Sequence, residues 1–130
     1  GRAVRHPRHH FATSSSHEGA TLKSPTPFFF VEGLFALAHQ PLRNLMDLRV
    51  FVDAPESVRT ERWWKRAPER NIHDDPAGRT LFKRAMKAHN QHVEPSRSHA
   101  HVVLNGTADP AHLKAVLENL TGLLVKSFYP

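Results

Sequence analysis

The sequence lacks cysteine, long apolar runs and the glycine-rich motifs that hold nucleotide phosphates. Without cysteine the chain cannot form a disulfide bond, a thiolate metal site or a cysteine nucleophile, and a reducing, cytoplasmic setting fits it best. No apolar run approaches the roughly 20 residues that a transmembrane helix needs, so we expect a soluble chain without a membrane partner. Neither G-x-x-x-x-G-K-[ST] nor G-x-G-x-x-G occurs, which excludes a phosphate loop within these residues.

Positive charge is what the chain has in excess. Its 130 residues are enough for one domain, and they carry 18 Lys and Arg against 12 Asp and Glu. Such a surface prefers an anionic partner, a class that includes nucleic acid, an acidic membrane and phosphorylated small molecules. The first residue is Gly1 rather than methionine, so we expect the natural start to lie upstream.

Residues 1–27 are rich in Arg, His, Ser and Pro, and Glu18 is their only acidic residue. They lack apolar periodicity, which predicts a loop or a polar hairpin. An Arg- and Ser-rich, acid-poor opening is also the composition of an organelle transit peptide, an alternative that composition leaves open.

From residue 28 onward, short apolar runs alternate with helical patterns. The runs predict strands at about residues 28–31, 49–52 and 101–104, each followed by a helix, and the helix before the third strand is expected to end before Pro95. This order predicts an α/β fold, a three-layer sandwich with a parallel sheet whose ligands collect at the carboxyl ends of the strands. Three polar residues lie at those ends: Glu32, Asp53 and Asn105.

Glu32 is unusual because it lies inside the most apolar stretch of the chain, FFFVEGLFAL. An unpaired buried carboxylate costs several kcal/mol or takes up a proton. We therefore expect a cation or a set of hydrogen-bond donors beside this side chain.

A cluster of cations follows the second predicted strand: Arg59, Arg62, Lys65, Arg66 and Arg70. Arg59, Arg62 and Arg66 share one face of a helix. A solvated helix surface and an anion-binding edge both agree with this pattern, and the second is favoured by the match between guanidinium groups and phosphate oxygens.

Two further features suggest other chemistry. Trp63 and Trp64 could stack on nucleic-acid bases or form an aromatic pair in the core, which is the commoner arrangement. The 11 histidines form close pairs only at residues 9–10 and 99–101, and no His-Glu-x-x-His helix occurs, so a transition-metal site is not expected.

Three stretches, FVEGLFAL, LMDLRVFVDAPESVRTERWWKRAPER and HVEPSRSHAHVVLNG, together resemble the uridine kinase (uridine-cytidine kinase) family, which has the P-loop kinase fold. The resemblance covers nearly the whole chain but only the C-terminal part of a family member. It implies a single incomplete kinase-like domain over residues 1–130 that lacks the N-terminal phosphate-loop half. Within it, residues 1–27 would be a polar hairpin or loop region, residues 28–130 an α/β core, and residues 59–75 a lid.

The resemblance implies transfer of phosphate from ATP, with Mg²⁺, to the 5′-hydroxyl of uridine or cytidine. Glu32 matches a glutamate that helps to hold the Mg²⁺, which would supply the cation expected above; a carboxylate held by backbone donors is the alternative. Arg62, Lys65 and Arg70 match basic lid residues that lie on the phosphates and exclude water.

The nucleoside pocket departs from the family pattern. His9, His10 and Phe11 stand where the family has Tyr-Asp-Phe, Ser14 replaces a histidine, Thr80 replaces a glutamine and Ile72 replaces an arginine. An apolar side chain in place of a polar reader leaves groups of the base unpaired, so the resemblance implies weaker recognition of the base by hydrogen bonds.

The family's phosphate loop and catalytic aspartate lie upstream of the matched region, so we expect no catalytic residue in this chain and no activity from it alone. Two other interpretations stay open. A degenerate kinase-like scaffold would use the basic edge for another anion or partner, and a nucleic-acid module would use the arginines with the two tryptophans. We expect a nucleoside and a nucleoside triphosphate as ligands, do not favour nucleic acid, and leave a homo-oligomer open.

Overall fold

The computed structural model describes residues 3–10, 15–24, 26 and 28–128. The chain divides into two compact units, Gly1–Glu32 and Gly33–Pro130. No helix of the described chain combines the length and the apolar character needed to cross a membrane.

The first unit contains an antiparallel hairpin of strands β1 (Val4–His10) and β2 (Ser15–Lys23). Its register shifts between His6 and Arg8. The residue between them is Pro7, which has no backbone N–H and therefore interrupts the ladder at that point. A polar hairpin is one of the two arrangements that composition predicts for residues 1–27.

The prediction of a strand at residues 28–31 is wrong. These residues have no regular secondary structure and belong to neither sheet of the described chain, and Phe29 and Phe30 are 80% and 84% exposed. Glu32 is exposed as well, so it is not the buried carboxylate that its apolar neighbours suggest. An apolar run becomes a strand only where a neighbouring strand completes its backbone hydrogen bonds, and none of the described strands does so here.

The second unit is built around two parallel strands, β3 (Val50–Asp53) and β4 (Val102–Asn105). They pair in register from Val50 opposite Val102 to Asp53 opposite Asn105. Each begins one residue later than predicted from the apolar pattern. The parallel direction, the positions of these two strands and the α/β class are confirmed, but in the described part of the chain the sheet has two strands and not the three predicted.

The described residues of this unit form four α-helices: α1 (Gln40–Arg43), α2 (Glu56–Arg66), α3 (Pro76–Ala88) and α4 (Pro110–Phe128). Asp75 caps α3 by accepting a hydrogen bond from the Gly78 backbone at 2.8 Å. Asp109 caps α4 in the same way, with the Ala111 nitrogen at 2.8 Å. Both helices carry proline in the first turn, where its missing N–H costs nothing.

Helical backbone continues past the end of α3, contrary to the prediction that it stops before Pro95. A π-helical turn, His89–Val93, leads directly into a 3₁₀ segment, Glu94–His99. Pro95 lies in the first turn of that segment, a position where no backbone donor is needed.

The buried core of the second unit is small. Leu37, Phe51 and Val93 form it, with Met46 and Ala100 packed against them. The sheet is covered unevenly, because Phe51 and Leu104 are buried while Val52 is 61% exposed and Val103 is 44% exposed. Parallel strands are normally covered on both faces, so two apolar positions of this sheet lack their usual cover within the described chain.

An aromatic contact joins α2 to α3. The Phe82 ring lies with its centroid 5.6 Å from that of Trp63 and 5.4 Å from that of Trp64, both in tilted geometry. All three side chains are half-buried. This contact supports the packing interpretation of the tryptophans over a stacking platform for bases.

Candidate functional site

The carboxyl ends of β3 and β4 lie side by side, and a cleft of about 620 Å³ opens beside them. Polar and charged residues contribute to its lining: Asp53, Arg59, Asn90, Glu94, Arg97, Asn105 and Thr107. A hollow of about 640 Å³ also runs along α4, but residues of that helix alone line it. The strand-end cleft is therefore the place where several segments bring chemistry-bearing groups together.

The turn after β4 closes one side of the cleft. The Gly106 backbone nitrogen donates to the Asp53 carbonyl at 2.6 Å, which ties the two strand ends together. Asn105 accepts hydrogen bonds through its side-chain oxygen from the Thr107 nitrogen at 2.9 Å and from the Thr107 hydroxyl at 2.7 Å. These bonds hold the backbone of the turn in one conformation.

The charges of the cleft are largely paired. The Arg97 guanidinium lies 3.3 Å from the Asp53 carboxylate. His89 Nε2 lies 3.4 Å from a Glu94 carboxylate oxygen, close enough for an ionic contact but without the alignment of a hydrogen bond. Both carboxylates of the cleft thus have a basic neighbour.

Arg59 differs from the other charged residues of the cleft because it has no acidic partner among the described residues. Its Nη1 donates to the Ala54 carbonyl at 2.6 Å. Its Nε is buried and makes no hydrogen bond. The guanidinium is therefore anchored at one nitrogen and retains other donors.

The three predicted lid cations are not equivalent. Arg62 donates through Nη2 to the Gly106 carbonyl at 3.0 Å, so it ties α2 to the turn after β4. Lys65 is exposed on α2, and Arg70 is exposed in a short 3₁₀ turn, Pro68–Arg70. Within the described chain, the side chains of Lys65 and Arg70 make neither hydrogen bonds nor ion pairs, and their charge is open to solvent.

The nucleoside-binding candidates are spread over both units. Thr80 is exposed on α3, and its hydroxyl donates to the Pro76 carbonyl of the same helix at 2.8 Å. His9 and His10 lie on β1, and Phe11 and Ser14 lie outside the described residues. Within the second unit, Thr80 is not among the residues that line the strand-end cleft.

Ile72, which stands where the resemblance places an arginine, has a packing role. It is half-buried, and its Cγ2 would lie 3.3 Å from a Cβ placed on Gly78. The side chain thus covers the start of α3.

A further ionic contact lies at the start of α3, away from the cleft lining. Arg79 Nε donates to an Asp74 carboxylate oxygen at 2.6 Å. This hydrogen bond holds the pKa of the Asp74 carboxyl below its usual range. Because both side chains are well exposed, the contact contributes little to stability and weakens in salt.

The sequence-based predictions do not include Thr107 or three polar residues of the segment that follows α3: Asn90, Glu94 and Arg97. Their spacing of four and then three residues is that of one helical face, and this polar stripe is a signal that the sequence contains. The apolar residues of the same segment define the opposite face, and a prediction built on them alone overlooks the stripe.

A parallel α/β unit with a charged cleft at its strand ends defines a class of protein that binds ligands at the carboxyl edge of the sheet. The comparisons with known proteins narrow this class. The chain belongs to the phosphoribulokinase / uridine kinase family, whose family model matches residues 1–111. The resemblance seen in the three sequence stretches is thereby confirmed.

Curated relatives agree with the family. The chain is 27% identical over 126 residues to the uridine kinase of Lactococcus lactis subsp. cremoris (strain MG1363), which covers 95% of this chain and 61% of that protein. It is 28% identical over 105 residues to the uridine kinase of Staphylococcus aureus (strain JH9), covering 80% of this chain and 51% of that protein. The chain thus spans between half and two thirds of the length of these relatives.

Proposed function

We propose that this chain is the C-terminal part of a nucleoside kinase that transfers phosphate from ATP to the 5′-hydroxyl of a pyrimidine nucleoside such as uridine or cytidine. The observation that carries the proposal is a cleft at the carboxyl ends of parallel strands, bordered by a basic helix, in a chain of the phosphoribulokinase / uridine kinase family. Transfer of a phosphoryl group needs cations around oxygens that gain charge, and the exposed cations of α2 and the turn after it can supply them.

In this mechanism Lys65 and Arg70 neutralise the transferring phosphate. Both are exposed, and neither is bound to an acid in the described chain, so each can reach an anion without first losing a partner. Arg62 contributes charge from the same helix while its bond to the Gly106 carbonyl holds α2 against the turn after β4. Closure of this segment over the phosphates would exclude water and strengthen each of these interactions.

Mg²⁺ fits the donor chemistry of Glu32. The ion usually takes one or two carboxylates, keeps several waters and binds substrate phosphates, and it does not need a complete cage of protein ligands. Glu32 is an exposed carboxylate, and no group of three or more acidic or histidine side chains in the described chain could hold a metal without a substrate. When bound, Mg²⁺ would offset the charge of the triphosphate.

The chain as printed is expected to transfer no phosphate. It contains neither a G-x-x-x-x-G-K-[ST] loop to hold the triphosphate nor the upstream aspartate that the family resemblance assigns as the base. Purified residues 1–130, incubated with ATP, Mg²⁺ and uridine or cytidine, should form no nucleoside monophosphate. Turnover by the pure chain would contradict this expectation.

A kinase and a kinase-like scaffold differ in what the gene encodes before Gly1. We expect the upstream reading frame to encode a glycine-rich loop ending in Lys-Ser or Lys-Thr. A scaffold would lack that loop, and the basic edge would then serve another anion or a protein partner.

The experiment for the lid uses the protein expressed from the complete reading frame. Arg70→Gln should lower kcat by about 10²-fold while changing the KM for the nucleoside less, because the interaction strengthens as charge develops. Arg84→Gln is the matched control, since Arg84 is exposed on α3 and makes no side-chain contact with a described acidic residue. A wild-type kcat for Arg70→Gln would indicate that these cations only form a solvated surface. An equal loss of kcat in Arg79→Gln would indicate that α3 supplies the lid.

A further inference from the structure

We infer that helix α3 carries a second binding surface of this protein, which holds the phosphodiester backbone of a nucleic acid. Three exposed cations form this surface, the α3 basic face: Lys83, Arg84 and Lys87. With 3.6 residues per turn they lie within about 100° of arc around the helix. None of them lines the strand-end cleft, and α3 begins after the predicted lid at residues 59–75. The inference goes beyond the proposed function and does not depend on it.

The positive charge of the α3 basic face is not balanced within the described chain. Residues 76–93, which form α3 and the π-helical turn after it, contain neither Asp nor Glu. The side chains of the three cations make no hydrogen bond or ion pair with any described residue. Arg79, the other cation of α3, differs from them because it is bound to Asp74 at 2.6 Å. The α3 basic face is therefore open to an anion from outside the chain.

The spacing of the cations distinguishes α3 from a helix whose surface charges pair with one another. Lys83 and Lys87 lie four residues apart, which places them on the same side of the helix and ~6 Å apart along its axis. Like charges at this spacing repel each other, whereas opposite charges attract, as Lys114 and Glu118 of α4 do at 3.3 Å. An anion bound beside α3 would relieve the repulsion.

The apolar residues of α3 favour a nucleic acid over a protein or a membrane as the source of that anion. Protein interfaces are anchored by large aromatic or apolar side chains, and membrane-bound helices insert several of them. On α3, the Phe82 ring packs on Trp63 and Trp64, and Met86 is half-buried. Leu81, which is 43% exposed, is a single apolar side chain and supplies too little area for either partner.

A nucleic-acid backbone needs no apolar anchor, because its affinity comes from cations that neutralise phosphates. Trp63 and Trp64 contact Phe82 and are half-buried, so they do not offer a platform on which bases could stack. We therefore expect binding that depends strongly on salt and little on base sequence. This surface differs from a nucleic-acid module built on the arginines of α2 and the two tryptophans.

The test uses the protein expressed from the complete reading frame and two fluorescent probes, a short single-stranded RNA and a DNA duplex of mixed sequence. Fluorescence anisotropy measures the affinity for each probe over a range of salt concentrations. Lys83→Gln/Lys87→Gln should weaken binding by about 10-fold or more at low salt. The slope of log K against log salt should fall by about 1.4 for RNA and about 1.8 for DNA, since each lost phosphate contact contributes about 0.7 or about 0.9.

The matched control is Lys65→Gln/Arg70→Gln, which removes the same net charge from the predicted lid. It should lower kcat and leave the affinity for both probes unchanged, whereas the α3 variant should keep the wild-type kcat. Equal losses of affinity in the two variants would reveal a general effect of net charge and would overturn the inference. Binding of one probe alone, lost in the α3 variant, would assign the face to that kind of nucleic acid.

Two further outcomes separate this inference from its alternatives. A folded wild-type protein that binds neither probe would overturn it, whether or not the protein binds vesicles of phosphatidylserine; binding to the vesicles alone would assign the α3 basic face to a membrane. A protein that binds the probes through α3 but phosphorylates no nucleoside would support the inference and contradict the proposed kinase.

Discussion

Substitution of Gly106 by alanine should destabilise the chain, because the backbone leaves no space for a side chain there. A Cβ on Gly106 would lie 2.9 Å from the Asp53 carbonyl oxygen and 2.9 Å from Val52 Cγ1. Ordinary contacts of a Cβ begin at 3.4 Å, so each neighbour would have to move by about half an ångström. The φ angle of Gly106 lies outside the left-handed region that favours glycine. The expected loss of stability therefore comes from steric overlap and not from a strained backbone.

The two neighbours differ in how easily they move. Val52 is exposed and can rotate its side chain, but the Asp53 carbonyl is backbone and accepts a hydrogen bond from the Gly106 nitrogen at 2.6 Å. Relief of the overlap therefore weakens that bond and displaces the turn that Arg62 contacts. We expect Gly106→Ala to lower the free energy of unfolding by about 1–3 kcal/mol.

The assay is urea unfolding followed by tryptophan fluorescence, with Gly122→Ala as the matched control. Gly122 lies inside α4, and nothing lies within 4 Å of a Cβ placed there. Alanine is the better helix former, so Gly122→Ala should raise helix stability by about 0.5–1 kcal/mol. The reasoning is refuted if Gly106→Ala is neutral or if both substitutions shift the midpoint in the same direction.

Three further predictions concern α3 and its neighbours. Gly78→Ala should be at least as damaging as Gly106→Ala, because a Cβ there would overlap the His73 carbonyl oxygen; a stable Gly78→Ala variant would contradict the packing at the start of α3. Phe82→Ala removes the ring that contacts both tryptophans and should cost about 2–4 kcal/mol and shift the tryptophan emission; an unchanged spectrum would argue against the contact. The lowered pKa of Asp74 stabilises the fold above the ordinary carboxyl pKa, and this contribution is lost as the pH falls through the lowered value. At low salt, the unfolding midpoint of Asp74→Asn should therefore fall less steeply than that of the wild type as the pH is lowered. An equally steep fall would show that the ion pair does not contribute to stability.

Local patterns in the sequence predict much of the second unit. Asp109 followed by proline predicts the start of α4, and the apolar runs predict β3 and β4 to within one residue. These signals succeed because a helix cap and the apolar pattern of a strand are both carried by residues that are close together in the chain. The family resemblance succeeds for a different reason, since it depends on whole stretches and not on any single position.

The same local reasoning fails at Glu32 and at Pro95. The apolar run before Glu32 has the composition of a buried strand, but burial depends on a partner strand that the described chain does not supply. Pro95 ends an ideal α-helix, yet the π-helical turn before it changes the pitch, and a 3₁₀ segment accepts proline in its first turn. A partner strand decides the first case and the local helical pitch decides the second, and composition reports neither of them.

The candidate site, too, could be predicted from the sequence only in part. The basic character of α2 and the strand-end positions of Asp53 and Asn105 follow from sequence, because they depend only on which residues succeed each strand. The pairing of Arg97 with Asp53 joins residues far apart in the chain, and the unpaired Nε of Arg59 depends on its surroundings. Such features depend on the folded structure and cannot be predicted from local sequence.

The central claim is that this chain is part of a nucleoside kinase, and the most direct measurement is phosphate transfer by the protein expressed from the complete reading frame. The assay follows the γ-phosphate of ATP into uridine monophosphate or cytidine monophosphate in the presence of Mg²⁺. We predict nucleoside monophosphate formation that requires Mg²⁺ and falls by about 10²-fold in Arg70→Gln. A folded, homogeneous protein that forms neither monophosphate would contradict the claim.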